Sequence, residues 1–89
     1  MTDVHDNRAA ARFELVRDGE TAFAAYVREG DRIVFTHTEV PPDLEGRGVG
    51  SALVAGALAQ VRGEGLKVVP ACSFVAAYVK RHPEAADLA

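Results

Sequence analysis

Three short groups of residues in this chain have the types and spacing to do chemistry. The first is Glu45-Gly46-Arg47-Gly48-Val49-Gly50-Ser51, with glycine at alternate positions just ahead of an Ala/Leu/Val-rich helical pattern. Glycine lets a backbone approach a ligand closely and turn its N–H groups toward one point. A helix start behind it adds a partial positive charge, so the segment suits a phosphate or pyrophosphate. The second group is His37 and Glu39, two apart on a β-type run and therefore on one face of it. An imidazole beside a carboxylate can act as a general base, directly or through water. The third is Cys72, placed where a second helix begins, a position that lowers a thiol's pKa and favours a nucleophile. Each group also fits a plainer role: a glycine-rich turn, a hydrogen-bonded strand histidine, a small buried residue beside a sheet.

Counting separates the glycine loop from better-known phosphate loops. A dinucleotide fingerprint G-x-G-x-x-G begun at Gly46 needs glycine where Ser51 stands, and begun at Gly48 it needs glycine where Leu53 stands. A P-loop needs Lys then Ser or Thr after its last glycine, and Ser51-Ala52 supplies neither. What remains is a tight G-x-G-x-G turn with Arg47 inside it, either at a ligand or facing solvent.

These groups need a scaffold, and 89 residues allow one small domain. A chain of this size buries only about two-thirds of its unfolded surface. Its apolar fraction of 48% overstates the core, because sixteen residues are alanine. A net charge of −3 argues against a general nucleic-acid or membrane-surface binder. No apolar run approaches the roughly 20 residues of a membrane span, and the polar start from Met1 to Asp6 does not read as a signal peptide. One cysteine can form neither an internal disulfide nor, alone, a zinc site, so no metal is expected and a reduced cytoplasmic setting is the simplest reading.

Along the chain, residues 1–10 show no period and read as a flexible, frayed lead-in, with a single domain over 11–89. Arg12 to Arg17 alternates, Asp18-Gly19 signals a turn, and Thr21 to Arg28 is a second β-type run. Gly30-Asp31 turns again into a third run, Arg32 to Val40, completing an antiparallel meander. From Gly48 to Glu64 the period becomes helical, with Leu53, Val54, Ala57, Leu58 and Val61 on one stripe and Gly63 and Gly65 ending it. Leu66 to Val69 is a short fourth strand, parallel to the third through a right-handed crossover, and Pro70 stops it. Ser73 would cap a helix over Phe74 to Arg81, and Pro83 would open a last helical piece, Glu84 to Leu88. The fold class is α/β (α+β): a three-stranded antiparallel meander plus one parallel strand, with a central helix and C-terminal helices.

With that order in place, the chain resembles the GNAT superfamily of acetyl-CoA-dependent N-acetyltransferases, and more narrowly its minimal members of roughly 90 residues. Their pyrophosphate loop, Gln/Arg-x-x-Gly-x-Gly/Ala, falls on Glu45-Gly46-Arg47-Gly48-Val49-Gly50, with Glu at the first position. The minimal proteins also show a His-Thr pair before the loop, here His37-Thr38-Glu39-Val40. A strand ending in Pro-x-Cys before an aromatic-bearing helix is here Val68-Val69-Pro70-Ala71-Cys72-Ser73-Phe74 with Tyr78, and a His-Pro pair is His82-Pro83. The resemblance covers residues 12 to 84.

It implies a GNAT-like mixed sheet that binds acetyl-CoA as co-substrate and transfers the acetyl group to an amine. Backbone N–H groups of Arg47, Gly48, Val49, Gly50 and Ser51 would meet the pyrophosphate, while backbone at Thr38, Glu39 and Val40 would contact the pantetheine arm. His37 would be the base with Glu39 beside it, Cys72 a possible acetyl way-station, and Tyr78 the group that protonates the departing thiolate. Lys80-Arg81-His82 would touch the 3′-phosphate or form a solvated charge run. Only Asp18-Gly19-Glu20 joins the first two runs, so the helices that usually wall the acceptor pocket are missing. That open side implies a protein or peptide amine rather than a small metabolite. A CoA-binding module without chemistry is the alternative that the same residues allow.

Overall fold

Alternating apolar residues build one wall of the molecule. In the computed structural model, which describes residues 3–89, the strands are β1 (His5–Asn7), β2 (Arg12–Arg17), β3 (Glu20–Glu29), β4 (Arg32–Glu39) and β5 (Lys67–Pro70). They lie side by side in chain order, antiparallel from β1 to β4 and parallel between β4 and β5. Asp18 (φ 52°) and Gly19 (φ 76°) make the two-residue turn between β2 and β3, a conformation that Asp-Gly adopts readily. Helix α1 (Val49–Gly63) crosses from β4 to β5, and α2 (Ser73–Arg81) follows β5. No helix among the described residues is long and apolar enough to cross a membrane.

Phe13 and Leu15 on β2, Ala22, Ala24 and Tyr26 on β3, and Ile33 and Phe35 on β4 all point to one face and are buried. Against them pack the predicted stripe of α1, from Leu53 to Val61, together with Val75 and Val79 of α2. Both helices therefore cover the same face. The other face carries Arg12, Glu14, Phe23, Ala25, Val34, His37, Glu39 and Val69, all exposed or half-buried. The molecule is two layers deep, and its second sheet face is open.

Three expectations need correction. Of the frayed lead-in expected over 1–10, residues 1–2 lie outside the described residues, and the rest contains β1, held to β2 with Asp6 opposite Phe13. Its polar residues give no period; what fixes them is distant, as Tyr26 donates its hydroxyl to Asp6 at 2.6 Å and Gln60 donates to the Val4 carbonyl at 2.7 Å. The cap of α2 is Cys72, with Ser73 already inside the helix. The last helical piece is a single 3-10 turn, Pro83–Ala85; beyond it Val68 donates to the Asp87 carbonyl, and Leu88 bridges β5 as a parallel neighbour.

One irregularity matters more than the rest. Tyr26 faces Phe35, but Ala25 faces His37, so Thr36 is an extra residue in β4. This bulge resets the alternation. A regular strand would turn His37 and Glu39 to the face of Phe35; the bulge turns them to the open face and leaves Thr38, opposite buried Ala24, toward the helices.

Candidate functional site

The glycine loop forms because the chain leaves β4 through Val40-Pro41-Pro42 and must turn sharply to begin α1. Pro42–Leu44 makes a 3-10 turn, and Leu44, 1% exposed, plugs the core beneath it. Gly46 (φ 78°) and Gly48 (φ 75°) then take left-handed conformations that side chains disfavour, and Gly48 caps α1. Among the described residues, no N–H from Gly46 to Ser51 donates a hydrogen bond; the first to do so is Ala52, to the Gly48 carbonyl at 3.0 Å. A helix start without partners for its N–H groups presents donors and the positive end of a dipole.

Those donors border a concavity of about 450 Å³. Glu45, Gly46, Gly48, Val49, Gly50 and Ser51 form its floor; Thr38 and Val40 of β4 and Phe74 of α2 complete its walls. β4 pairs with β5 only as far as Phe35 opposite Pro70, and Cys72 then donates its N–H to the Phe35 carbonyl at 2.8 Å. Past that point β4 has no strand neighbour on the β5 side among the described residues, which leaves its edge open toward the concavity.

The expected residues separate into two groups. Cys72 is 8% exposed and its Sγ donates to the Thr38 hydroxyl at 3.3 Å, on the helix side of the sheet. Burial is the largest influence on this thiol and pushes its pKa up. Once ionised, the sulfur accepts instead, from the Thr38 hydroxyl, the backbone of Val75 and Phe74 and the Thr38 backbone; these outweigh burial, and the net shift is downward. His37 and Glu39 lie across the sheet on the open face, Nε2 to Oε2 at 3.4 Å, with both side chains over 60% exposed. The Phe23 and His37 rings meet edge to face with centroids 6.1 Å apart, and the Arg12 guanidinium sits over the phenyl, 4.5 Å from its centroid.

Two expected residues point elsewhere. The Arg47 guanidinium pairs with Asp18 of the β2–β3 turn at 2.7 Å, so this residue offers the loop its backbone while its side chain ties the loop to the hairpin. Tyr78 lies against His82 with tilted rings and centroids 4.6 Å apart, about one and a half turns into α2 and outside the concavity wall. Lys80, Arg81 and His82 are exposed. Phe74, which in sequence only marks the aromatic-bearing helix after Cys72, lines the concavity, and the bulge at Thr36 exists only in the pairing of β3 with β4.

The chain matches, over residues 12–88, the family model described as GCN5-related N-acetyl-transferase. Protein NATD1 of Mus musculus and that of Gallus gallus are each 36% identical to it over 83 residues, spanning 90% of this chain and 76% of theirs. Protein NATD1 of Homo sapiens has the same identity, over 74% of its own length.

Proposed function

The chain belongs to the GCN5-related N-acetyltransferase family, and from that premise we propose that it moves an acetyl group from acetyl-CoA to a primary amine. The observation that carries this reading is the row of unpartnered N–H groups from Gly46 to Ser51 on the floor of the concavity. They match an anionic diphosphate, and the open edge of β4 at Thr38 to Val40 offers a path for the arm beyond it. No metal is needed for either contact.

The arm would end where β4 and β5 part, at the level of Thr38 and Cys72. A thioester held between two strands is reachable from both faces. From the open face an amine would approach beside His37. A lysine-like amine with pKa near 10.4 is neutral in only about one molecule in 2,500 at pH 7, a cost of roughly 4.6 kcal/mol. His37 takes its proton, and Glu39 orients the imidazole. From the helix face Cys72 could take the acetyl group first: its sulfur forms the new C–S bond, the bond to the CoA sulfur breaks, and the proton leaves with CoA. The amine then frees Cys72. Intact mass after incubation with acetyl-CoA separates the routes, since an acetyl adduct lost in Cys72→Ser marks the relay.

The acceptor side is a sheet face rather than a closed pocket, which fits a polypeptide amine better than a small metabolite. A cytoplasmic setting, where the thiol stays reduced, suits this chemistry. The test is acetyl transfer from acetyl-CoA to lysine peptides, followed alongside CoA affinity. Wild type should release CoA, and Gly48→Val, which forces a branched side chain to a positive φ, should lose CoA binding by tenfold or more. Acetyl-CoA held for hours beside such peptides without product would make the chain a CoA-binding module instead.

A further inference from the structure

Gly50 differs from the other loop glycines. Its backbone does not need a positive φ, and it lies buried in the first turn of α1. What it lacks is room: a Cβ built there would meet the Phe74 ring, with Cζ at 2.5 Å and both Cε atoms at 3.2 and 3.3 Å. At Gly46 and Gly48 an added Cβ meets nothing within 4 Å. The third glycine of the loop is therefore set by an aromatic ring from the other helix.

That ring is itself unusual. Phe74 is 38% exposed, a large apolar side chain kept at the surface two residues after Cys72, and it lines the concavity with Thr38 and Val40. Exposed aromatic surface beside an open strand edge is what an uncharged, amide-bearing chain would pack against. The diphosphate, by contrast, needs the N–H groups of the floor and gains nothing from a phenyl ring.

We propose that Phe74 is a specificity-determining residue that grips the arm of the coenzyme, seated for that role by the space that Gly50 leaves open. This rests on the acetyl-CoA reading above and adds a division of labour to it: the loop backbone holds the diphosphate, and the ring holds the arm.

The experiment compares two ligands by titration calorimetry: CoA, and adenosine 3′-phosphate 5′-diphosphate, which keeps the diphosphate and lacks the arm. Phe74→Ala should weaken CoA about tenfold, in keeping with the loss of a partly buried aromatic contact, and change the nucleotide less than twofold. Phe74→Leu should recover most of the loss. Gly50→Ala, by displacing the ring, should weaken CoA as Phe74→Ala does, and the double variant should bind CoA no more weakly than Phe74→Ala alone. Melting temperatures add a readout of the fit itself. Alanine favours a helix over glycine, so Gly50→Ala should raise the melting temperature only where Phe74 is already alanine.

Equal weakening of both ligands in Phe74→Ala would overturn the proposal. So would unchanged CoA affinity, or losses from positions 50 and 74 that multiply. A wild-type protein blind to both ligands would instead sink the acetyl-CoA reading.

Discussion

His37 and Tyr78 carry family expectations that their surroundings now separate. His37 sits on the open face with Glu39 at 3.4 Å, whereas Tyr78 lies against His82 away from the concavity. His37→Ala should lower kcat by about 10²- to 10⁴-fold, the usual worth of a positioned base, while Tyr78→Phe should stay within about threefold of wild type. Steady-state rates with a lysine peptide decide both. Cys72 makes a second case. Its thiol is held below its ordinary value despite burial, because Thr38, Val75 and Phe74 hydrogen-bond the thiolate. Alkylation by iodoacetamide should reach half its maximal rate at a lower pH than for the same cysteine in the urea-unfolded chain. Thr38→Val, lacking the hydroxyl, should move that midpoint upward; an unmoved midpoint would deny the hydroxyl its part. Spacing alone singles out His37 with Glu39, and Cys72 at a helix start, as candidates. Their partition between two faces was not legible, since it depends on one extra residue whose only signature is its cross-strand partner.

At the scale of elements, the bulge at Thr36 and the unpaired end of β4 belong together. A bulge bends its strand and steepens the twist, so β4 leaves β5 after Phe35. Deleting Thr36 would regularise the ladder while keeping Phe35 and Thr38 inward and His37 and Glu39 outward. The sheet should then survive, with a melting temperature within a few degrees of wild type, but acetyl transfer should fall at least tenfold as β4 closes on the gap. Activity unchanged by that deletion would show that the bend serves nothing in the site. The meander, the crossover helix and the parallel strand were readable because local period and turn chemistry specify them: Asp18-Gly19 for one hairpin, the stripe from Leu53 to Val61 for α1. β1 was not, because three polar residues become a strand only when β2, Tyr26 and Gln60 supply their partners.

For the whole molecule, a one-sided core leaves little stability to spare, and a polar network fastens the edge. Arg28 reaches Asp6 at 3.0 Å and Glu64 at 2.9 Å, and Arg8 reaches Glu64 at 3.2 Å, joining β1, β3 and the end of α1. The Arg28 hydrogen bond is the main cause holding the Glu64 carboxyl below its usual value, against a smaller opposing effect of burial; Arg12 does the same for Glu14. A lowered carboxylate contributes stability that is fully present above the unfolded value near 4.5 and is lost as pH falls through the lower folded value. Urea midpoints should therefore hold near neutral pH and drop progressively below about pH 4.5. Glu64→Gln should cost no more than about 1 kcal/mol at pH 7, since solvent screens this exposed pair, and should flatten that acid slope; an unchanged slope would assign the loss to other groups.

The central claim is that main-chain N–H groups of the glycine loop hold the diphosphate of CoA, and amide NMR reads those groups one by one. Titrating the isotope-labelled protein with CoA should shift the amides of Gly46, Arg47, Gly48, Val49, Gly50 and Ser51 most, and slow their hydrogen exchange. Saturable CoA binding that leaves these six amides unmoved and perturbs another surface would contradict the account.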